Sequence, residues 1–514
     1  MSAPYRRCLL LVACTLHLVL VAPNARANGW EHGAVPFEAL VAALQQESSA
    51  IRLKAAQSLG FRGQAEAVPS LIALLAKPDP SRHVRGAVAV ALGRIGDARA
   101  LDPLVACLQG DRREEVRGDC ARGLGLLADE RAVGPLLEAV DGDAVPIVQS
   151  RVVDALGAFD DAEATEALIA LLSAKDKVHL RIRAIRALGS SRAEAAVGPL
   201  LAVLQAPRDE LERAQTVEAL GRLGSSDARA PLNTLLAESD DPQLRLRIVI
   251  ALAAIRDGSS LPALIESLRD RAVAVRYFAV NGLREIGDPK AAPGLRDFAR
   301  QTLDRLATLS PSARLRASEA IRAELSALEQ AIWALVELDP GGSLQVFLQA
   351  GQPYDIPATS GAALAMADAY YLVRRVALRG LGYAGGDEAR DMLEGAAGLQ
   401  DTDPRLRAVA VRARAVLGGK GATERLLPSL EDNASDVRAN AAVALGRLGD
   451  KAAVAPLIDR LVDPVAAVRR QSVLALAYLG DTSALEAVGD LAAKDSSDVV
   501  REAAAYAVDL LSQN

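Results

Sequence analysis

The stretch VRGAVAVALGRIGD at residues 84–97 indicates a repeat protein, because related copies of it recur along the whole chain. Aligned on the arginine at position 85, the copies are 31 to 33 residues apart, except around position 328, where the steps widen to 52 and 46. A constant period of this length indicates a solenoid, in which each unit packs only on its neighbours. The aligned residues, called the anchor positions below, are Arg52, Arg85, Arg117, Gln149, Arg181, Arg213, Arg245, Arg276, Leu328, Arg374, Arg407, Arg438, Arg469 and Arg501.

Each unit is predicted to contain two antiparallel helices. From Val84 to Ile95 the apolar residues recur every three or four positions, which places them on one face of a helix that carries the anchor. Gly96 follows, and a helix C-cap with positive φ favours glycine. A second, leucine-rich helix then begins near Leu101. The expected fold is all-α, an α-solenoid superhelix of about fourteen antiparallel helix pairs.

An aspartate stands six residues before the anchor in nine copies. The anchor lies only about 50° from the centre of the apolar face, at 100° per residue. Its guanidinium is therefore partly buried and needs a carboxylate or carbonyl partner. We expect a structural ladder along the stack, because a catalytic pair would not be copied at every repeat. The nine aspartates are Asp79, Asp111, Asp143, Asp270, Asp368, Asp401, Asp432, Asp463 and Asp495, and the ladder arginines include Arg85, Arg117, Arg276, Arg438, Arg469 and Arg501.

With its paired helices, its VRxxAAxALGxLGD string and its aspartate ladder, the chain resembles the HEAT-repeat family, in the short form found in phycobilin-lyase-like proteins. The resemblance covers nearly all of residues 36–514. It implies a solenoid that serves as a scaffold, since most members of the family resemble scaffolds and a minority are enzymes. The signatures of tetratricopeptide and ankyrin repeats do not occur.

The N-terminus reads as an export signal. Arg6 and Arg7 precede a short apolar run, and an A-x-A cleavage site closes it at residues 25–27. We therefore predict a signal peptide at 1–27 and a periplasmic or secreted protein, with no membrane span because the apolar run is too short. The segment Leu11–Cys14 also resembles a lipoprotein box, so lipid anchoring is the alternative.

The period predicts three further segments. An N-terminal HEAT-like array is expected at 28–288 and a C-terminal one at 373–514, separated by an irregular segment at 289–372 with one degenerate repeat and two insertions. The first insertion is helix-like and broken near residues 310–312, whereas the second, at 341–361, has the glycines and prolines of a loop. We expect Trp333 and Phe298 in the core and Tyr354 exposed on the loop.

Cys107 and Cys120 are the cysteines that remain after leader cleavage. An oxidising compartment favours a disulfide between them. The alternative is that both are small apolar core residues, since other copies carry leucine, alanine or valine in these slots. Both readings stay open, because a sequence does not fix the distance between two Cα atoms.

Positions +2, +5 and +9 from each anchor point away from the apolar stripe, on helices that in the family line the concave side. Basic residues there outnumber the acidic Asp119, Asp154, Glu218 and Glu285. They predict a basic stripe that attracts acidic groups; the alternative is a solvated face with i, i+4 pairs. The predicted partner-binding residues are Arg94, Arg122, Arg151, Arg183, Arg186, Arg222, Arg247, Arg379, Arg412, Arg447 and, on the loop, Tyr354.

The net charge of −6 disfavours nucleic acid as a partner. We identify no catalytic, cofactor-binding or metal-binding residue, because Gly-rich phosphate loops, metal-ligand spacings and nucleophile triads are lacking. The expected function is a non-catalytic scaffold for a protein or peptide, acidic in character. One alternative is an enzyme related to HEAT-type bilin lyases or deoxyhypusine hydroxylase, although no histidine is followed by the glutamate that the hydroxylase ligands require. Another is a binder of an anionic polymer.

Overall fold

The structure is a computed structural model, and it describes residues 35–77, 81–175, 177–354 and 361–513. These residues form helices and connecting turns, with no strand among them. The predicted signal peptide and Asp79 lie outside the described residues. No helix in the described part of the chain has the length and hydropathy that crossing a bilayer demands.

Fourteen helices each carry one of the anchor positions, and shorter second helices alternate with them. The anchor helices are α2 (Ser49–Arg62), α4 (Arg82–Ile95), α6 (Glu114–Leu127), α8 (Pro146–Leu156), α10 (Arg181–Leu188), α12 (Glu210–Leu223), α14 (Pro242–Ile255), α16 (Val273–Ile286), α19 (Ser318–Leu338), α21 (Gly361–Ala384), α23 (Pro404–Leu417), α25 (Ser435–Leu448), α27 (Ala466–Leu479) and α29 (Asp498–Leu511). The second helices are α1 (Phe37–Ala43), α3 (Val68–Ala76), α5 (Leu101–Gly110), α7 (Val133–Gly142), α9 (Ala162–Leu171), α11 (Val197–Gln205), α13 (Arg229–Glu238), α15 (Leu261–Ser267), α17 (Ala292–Thr308), α20 (Leu344–Gly351), α22 (Asp387–Glu394), α24 (Ala422–Leu426), α26 (Val454–Asp459) and α28 (Leu485–Lys494), with α18 (Pro311–Arg316) inserted after α17. The predicted all-α solenoid of helix pairs is confirmed.

The chain divides into two compact units, the first ending at Ala228 and the second beginning at Arg229. Within each unit every anchor helix packs against the next anchor helix. The predicted boundaries at 288 and 372 stay predictions.

Small residues let neighbouring anchor helices approach closely. A Cβ atom added to Gly446 of α25 would lie 2.8 Å from Cα of Ala475 in α27, which is too close for any side chain. Glycine also ends the helices: Gly96 closes α4 with φ 76°, as the sequence predicts. The packing of the stack thus depends on glycine and alanine as much as on leucine.

Paired charges join successive repeats. The Arg407 guanidinium donates from Nε and Nη2 to the two carboxylate oxygens of Asp432, at 2.7 and 2.8 Å. Its third nitrogen donates to the carbonyl of Asp401 in its own repeat, at 2.8 Å. The Asp432 carboxylate also accepts the backbone N–H of Ala434, at 2.8 Å. One aspartate therefore binds the arginine of the repeat before it and the turn into the anchor helix after it.

The same link from one repeat to the next recurs in both units. The pairs are Arg85–Asp111, Arg117–Asp143, Arg245–Asp270, Arg374–Asp401, Arg438–Asp463 and Arg469–Asp495.

The ladder changes where the period changes. Arg276 pairs with Glu324 of α19, at 3.3 Å, because no aspartate precedes the degenerate repeat at the usual position. Arg501, in the final anchor helix, donates to the carbonyl of Asp495 and to Asp498. Asp368 does not belong to the ladder as predicted: α21 begins seven residues earlier, so Asp368 lies within that helix and is exposed.

The prediction of a loop at 341–361 was wrong for residues 341–351, and residues 355–360 lie outside the described residues. Residues 341–343 form a 3-10 turn and 344–351 form α20, which supplies the second helix of the degenerate repeat. Phe347 of α20 is fully buried, and its ring fits against Gly380 of α21, where an added Cβ would lie 2.9 Å from the ring atoms. This packing stabilises the segment as a helix. The glycines and prolines on either side of it are typical of loops, so the sequence did not indicate the helix.

Cys107 of α5 and Cys120 of α6 form a disulfide in the structure, with the two Sγ atoms 1.98 Å apart and the Cα atoms 6.1 Å apart. Both side chains are also buried. The bond joins a second helix to the anchor helix of the following repeat.

We predict that the disulfide stabilises the first unit through its short closed loop. Its sequence separation is 13 residues, and closing a loop of about that size contributes about 3 kcal/mol. Reducing the protein should lower its free energy of unfolding in urea by this amount. A Cys107→Ala/Cys120→Ala variant should be insensitive to the reductant; equal stability of oxidised and reduced wild type would contradict the prediction.

Replacing one ladder carboxylate should cost stability in a pH-dependent way. The hydrogen bond from Arg407 holds the pKa of Asp432 below its ordinary value of 3.8. Its contribution is therefore complete above that value and is lost as the pH falls through the lowered pKa. Asp432→Asn should lower the free energy of unfolding by about 2 kcal/mol at neutral pH, as for hydrogen bonds to charged groups. Urea titrations followed by circular dichroism should show this deficit shrinking below pH 3.8; a deficit independent of pH would refute the role assigned to the charge.

Candidate partner-binding site

Four anchor helices of the second unit frame a recess of about 400 Å³. We call it the arginine–aromatic cleft and define it by its lining. The lining residues are Trp333, Arg375, Arg379, Tyr383, Val409, Arg412, Ala413, Val416 and Arg447.

The repeat geometry places these side chains together. Trp333, Arg379 and Arg412 occupy the +5 slot of α19, α21 and α23, and Arg447 occupies the +9 slot of α25. Because α19, α21, α23 and α25 pack in succession, equivalent slots line up across the helices. Three of the predicted partner-binding arginines therefore meet in one cleft.

Most of the positive charge in the cleft is not neutralised. Arg375 pairs with Glu329, at 3.2 Å. Arg379 lies over the ring of Trp333, with its guanidinium carbon 4.8 Å from the ring centroid, in a cation–π contact. Arg412 and Arg447 are exposed and have no acidic partner among the described residues. The cleft thus combines guanidinium groups, which bind carboxylate or phosphate in a two-point fork, with aromatic rings.

Arg414, two residues beyond Arg412 on α23, has the opposite environment. Its side chain is 1% exposed, and it donates to Glu394 at 2.7 Å and to the carbonyl of Gly418 at 2.6 Å. The same helix therefore carries one buried, paired arginine and one exposed, unpaired arginine.

The HEAT repeats family model matches the chain over residues 37–125, 108–179, 166–245, 230–310, 359–439 and 423–509. The chain belongs to the HEAT-repeat family. The resemblance inferred from the repeated motif is confirmed. No curated protein matches the chain.

Solved structures with similar folds include nuclear transport proteins. The structure of Kap95p with RanGDP matches with a TM-score of 0.50 at 14% identity, over 98% of this chain and 80% of that chain. Importin beta, crystallised in ammonium sulfate, matches with a TM-score of 0.36 at 14% identity, over 94% and 86%. The CpcE–CpcF complex of phycocyanin lyase from Nostoc sp. PCC7120 matches with a TM-score of 0.30 at 23% identity, over 51% and 92%. At 14% identity, the likeness to Kap95p shows the fold alone.

In the HEAT repeats of the first unit, several predicted arginines are paired with carboxylates. Arg183 of α10 binds Asp154 of α8, at 2.5 Å, and Arg151 of α8 binds Asp119 of α6. Arg222 lies 3.4 Å from Glu218 on the same helix. Part of the predicted basic stripe is therefore neutralised between adjacent HEAT repeats.

The remaining predicted arginines lie outside the arginine–aromatic cleft. Arg94 and Arg122 are exposed and share a cleft of about 330 Å³ with Asp119. Arg186 is exposed near the end of α10, and Arg247 is half-buried on α14.

Tyr354 is not the exposed loop residue that the sequence predicts. It is partly buried, and its ring centroid lies 4.1 Å from that of Tyr370 in α21. Burial raises the pKa of Tyr354 to about 12. Its partner Tyr370 fills the space beside the degenerate HEAT repeat, so the ring serves packing and does not offer a contact surface.

Trp333 and Tyr383 are cleft residues that the sequence analysis did not identify. Trp333 was expected in the core but is half-buried, whereas the core prediction for Phe298 is confirmed. Tyr383 occupies the +9 slot of α21 and is 49% exposed. Both are aromatic residues at +5 or +9 from an anchor position, so the repeat pattern contains the signal that identifies them.

No group of three or more histidine, cysteine or carboxylate side chains in the described residues is arranged to hold a metal ion. The cleft itself is lined by guanidinium, indole, phenol and aliphatic groups. These groups bind anions and apolar surfaces.

Cleft arginines should be dispensable for folding. Arg412→Glu/Arg447→Glu should change the free energy of unfolding by less than about 0.5 kcal/mol, as is usual for exposed positions. Arg414→Met should cost about 3 kcal/mol or more, because it leaves Glu394 facing a partly buried site without its main partner. Urea unfolding of the three proteins checks the contrast; a large loss in the double variant would show that the cleft arginines serve the HEAT stack itself.

Proposed function

We propose that this HEAT-repeat protein is an exported, non-catalytic scaffold that binds an acidic protein or peptide through the arginine–aromatic cleft. The observation that carries the proposal is the convergence of Arg379, Arg412 and Arg447 on one recess, beside aromatic rings and without an acidic partner for the last two in the described residues. In the first unit, by contrast, Arg151 and Arg183 are each paired with a carboxylate of the preceding anchor helix.

The chemistry of the cleft favours a protein surface as ligand. Arginine and aromatic side chains are the residue types that most often dominate binding energy at protein interfaces, and they do so in recessed pockets. Carboxylates of a partner would form charge-assisted hydrogen bonds with the exposed guanidinium groups. Because the chain has a net charge of −6, a local basic cleft also discriminates among orientations of an acidic partner.

The fold supports a scaffold role. Kap95p, a chain with the same fold, binds RanGDP, which is a protein. Helix pairs that stack in this way present a long row of equivalent side-chain positions, and such surfaces are used for binding.

Export is proposed from the N-terminal sequence. The charged start, the apolar run and the A-x-A site at 25–27 support it, although they lie outside the described residues. The Cys107–Cys120 disulfide suits an oxidising compartment.

The test compares partners recovered by three tagged proteins from an envelope fraction, with recovered proteins quantified by mass spectrometry. The cleft variant is Arg379→Glu/Arg412→Glu/Arg447→Glu. The control variant, Arg183→Glu/Arg186→Glu/Arg222→Glu, makes the same change of net charge on the first unit. Circular dichroism establishes that all three keep their helical content.

We expect the cleft variant to lose at least one protein by about tenfold or more, a loss that corresponds to about 1.4 kcal/mol. Wild type and the control variant should both retain that protein. Equal recovery by all three proteins would exclude the cleft as the binding site. Recovery of nucleic acid or polysaccharide in place of a protein would favour the anionic-polymer alternative.

A further inference from the structure

The arginine–aromatic cleft continues into a row of exposed apolar side chains. Tyr383 of α21 and Val416 of α23 are each 49% exposed. Beyond the cleft, Tyr478 of α27 is 81% exposed and Tyr506 of α29 is 58% exposed. Tyr383, Val416 and Tyr478 occupy the +9 slot of their helices, and Tyr506 occupies the +5 slot. Large apolar side chains thus recur on one face at nearly every repeat.

Charge along this face has one sign. The +2, +5 and +9 slots of α21, α23, α25, α27 and α29 contain fifteen residues, of which none is acidic. Three of them are the arginines Arg379, Arg412 and Arg447. In the first unit the same slots include Asp119, Asp154 and Glu218, which pair with arginines. We call this face of α21 to α29 the C-terminal row; its members are Arg379, Tyr383, Arg412, Val416, Arg447, Tyr478 and Tyr506.

The spacing of the helices sets the spacing of these side chains. Each anchor helix from α21 to α29 packs on the next, and packed helices lie about 8–10 Å apart. An extended peptide advances about 3.3 Å per residue. One step along the C-terminal row therefore corresponds to about three residues of an extended chain crossing the helices.

Resting on the proposed function, we infer that the ligand of the C-terminal row is an extended acidic peptide with an apolar residue at about every third position. Four helix steps separate α21 from α29, so such a segment is about twelve residues long. Its apolar side chains contact Tyr383, Val416, Tyr478 and Tyr506 in turn. The carboxylates that alternate with these apolar residues in the peptide bind Arg379, Arg412 and Arg447.

The recess favours a peptide over an anionic membrane surface, which also combines charge with apolar character. Trp333 and Arg379 line a recess of about 400 Å³ between helices, where Arg379 lies over the half-buried Trp333 ring, and a flat bilayer surface does not fill a recess of this kind. A peptide side chain can enter the recess.

The test uses two synthetic peptides of identical composition and the full-length protein. In the periodic peptide the triplet Leu-Glu-Asp is repeated five times, so that its first and last leucines are four helix steps apart; in the scrambled peptide the five leucines are contiguous. Binding is measured by fluorescence anisotropy, and vesicles rich in phosphatidylglycerol serve as the membrane probe. Tyr478→Ala tests the row outside the cleft, and Phe61→Ala, at the equivalent +9 slot of the first unit and 67% exposed, is its matched control.

We expect the periodic peptide to bind at least tenfold more tightly than the scrambled one. Tyr478→Ala should weaken its binding about tenfold, while Tyr478→Phe and Phe61→Ala should bind as wild type does. Equal affinity for the two peptides, no binding of either, or loss at Phe61→Ala as large as at Tyr478→Ala would overturn the inference, as would vesicle binding that competes with the peptide. Any of these outcomes would overturn the peptide inference alone. The proposed function would still hold if the cleft variant lost its partner from the envelope fraction.

Discussion

The ladder aspartate imposes the constraint on which the stack depends. A carboxylate such as that of Asp432 binds the Arg407 guanidinium of the preceding repeat and the N–H at the start of the following anchor helix. The anchor arginine sits near the apolar face, so it is desolvated unless its hydrogen bonds are satisfied. Satisfying them fixes the distance and rotation between two repeats. Glycine and alanine at the helix interface then allow the close approach that this arrangement requires.

On a single anchor helix, this arrangement separates the side that packs from the side that is exposed. In α23, Arg407 joins repeats, Arg414 is buried against Glu394, and Arg412 faces the cleft without an acidic partner in the described residues. Because the anchor side of every helix is occupied by the ladder and the core, the +5 and +9 slots are the ones free to vary. Their content differs along the stack: ion pairs such as Arg183–Asp154 occupy several slots of the first unit, whereas these slots contain no acidic residue from α21 to α29.

The sequence predicts the features that a single repeat specifies. Its predictions are wrong where contacts between side chains of different repeats determine the structure. The helix pairs, the glycine caps and the ladder residues follow from period and burial. Each ladder arginine pairs with the aspartate of the following repeat. This choice of partner depends on the spacing of the stacked helices, so the sequence of one repeat does not predict it. The helix at 344–351 was read as a loop because its stability comes from Phe347 packing against Gly380, a residue of the next repeat. Tyr354 was misjudged for the same reason, since Tyr370 covers it.

The proposed binding mode requires that a partner contact the exposed slots of the second unit's anchor helices and not the second helices. A photocrosslinking amino acid placed at Val416, in the cleft, tests this directly when compared with one at Ala455, which is exposed on α26. We expect a partner adduct from position 416 that disappears when Arg412 is also changed to glutamate, and none from position 455. An adduct from position 455 alone, or one from position 416 that does not depend on Arg412, would rule out this binding mode.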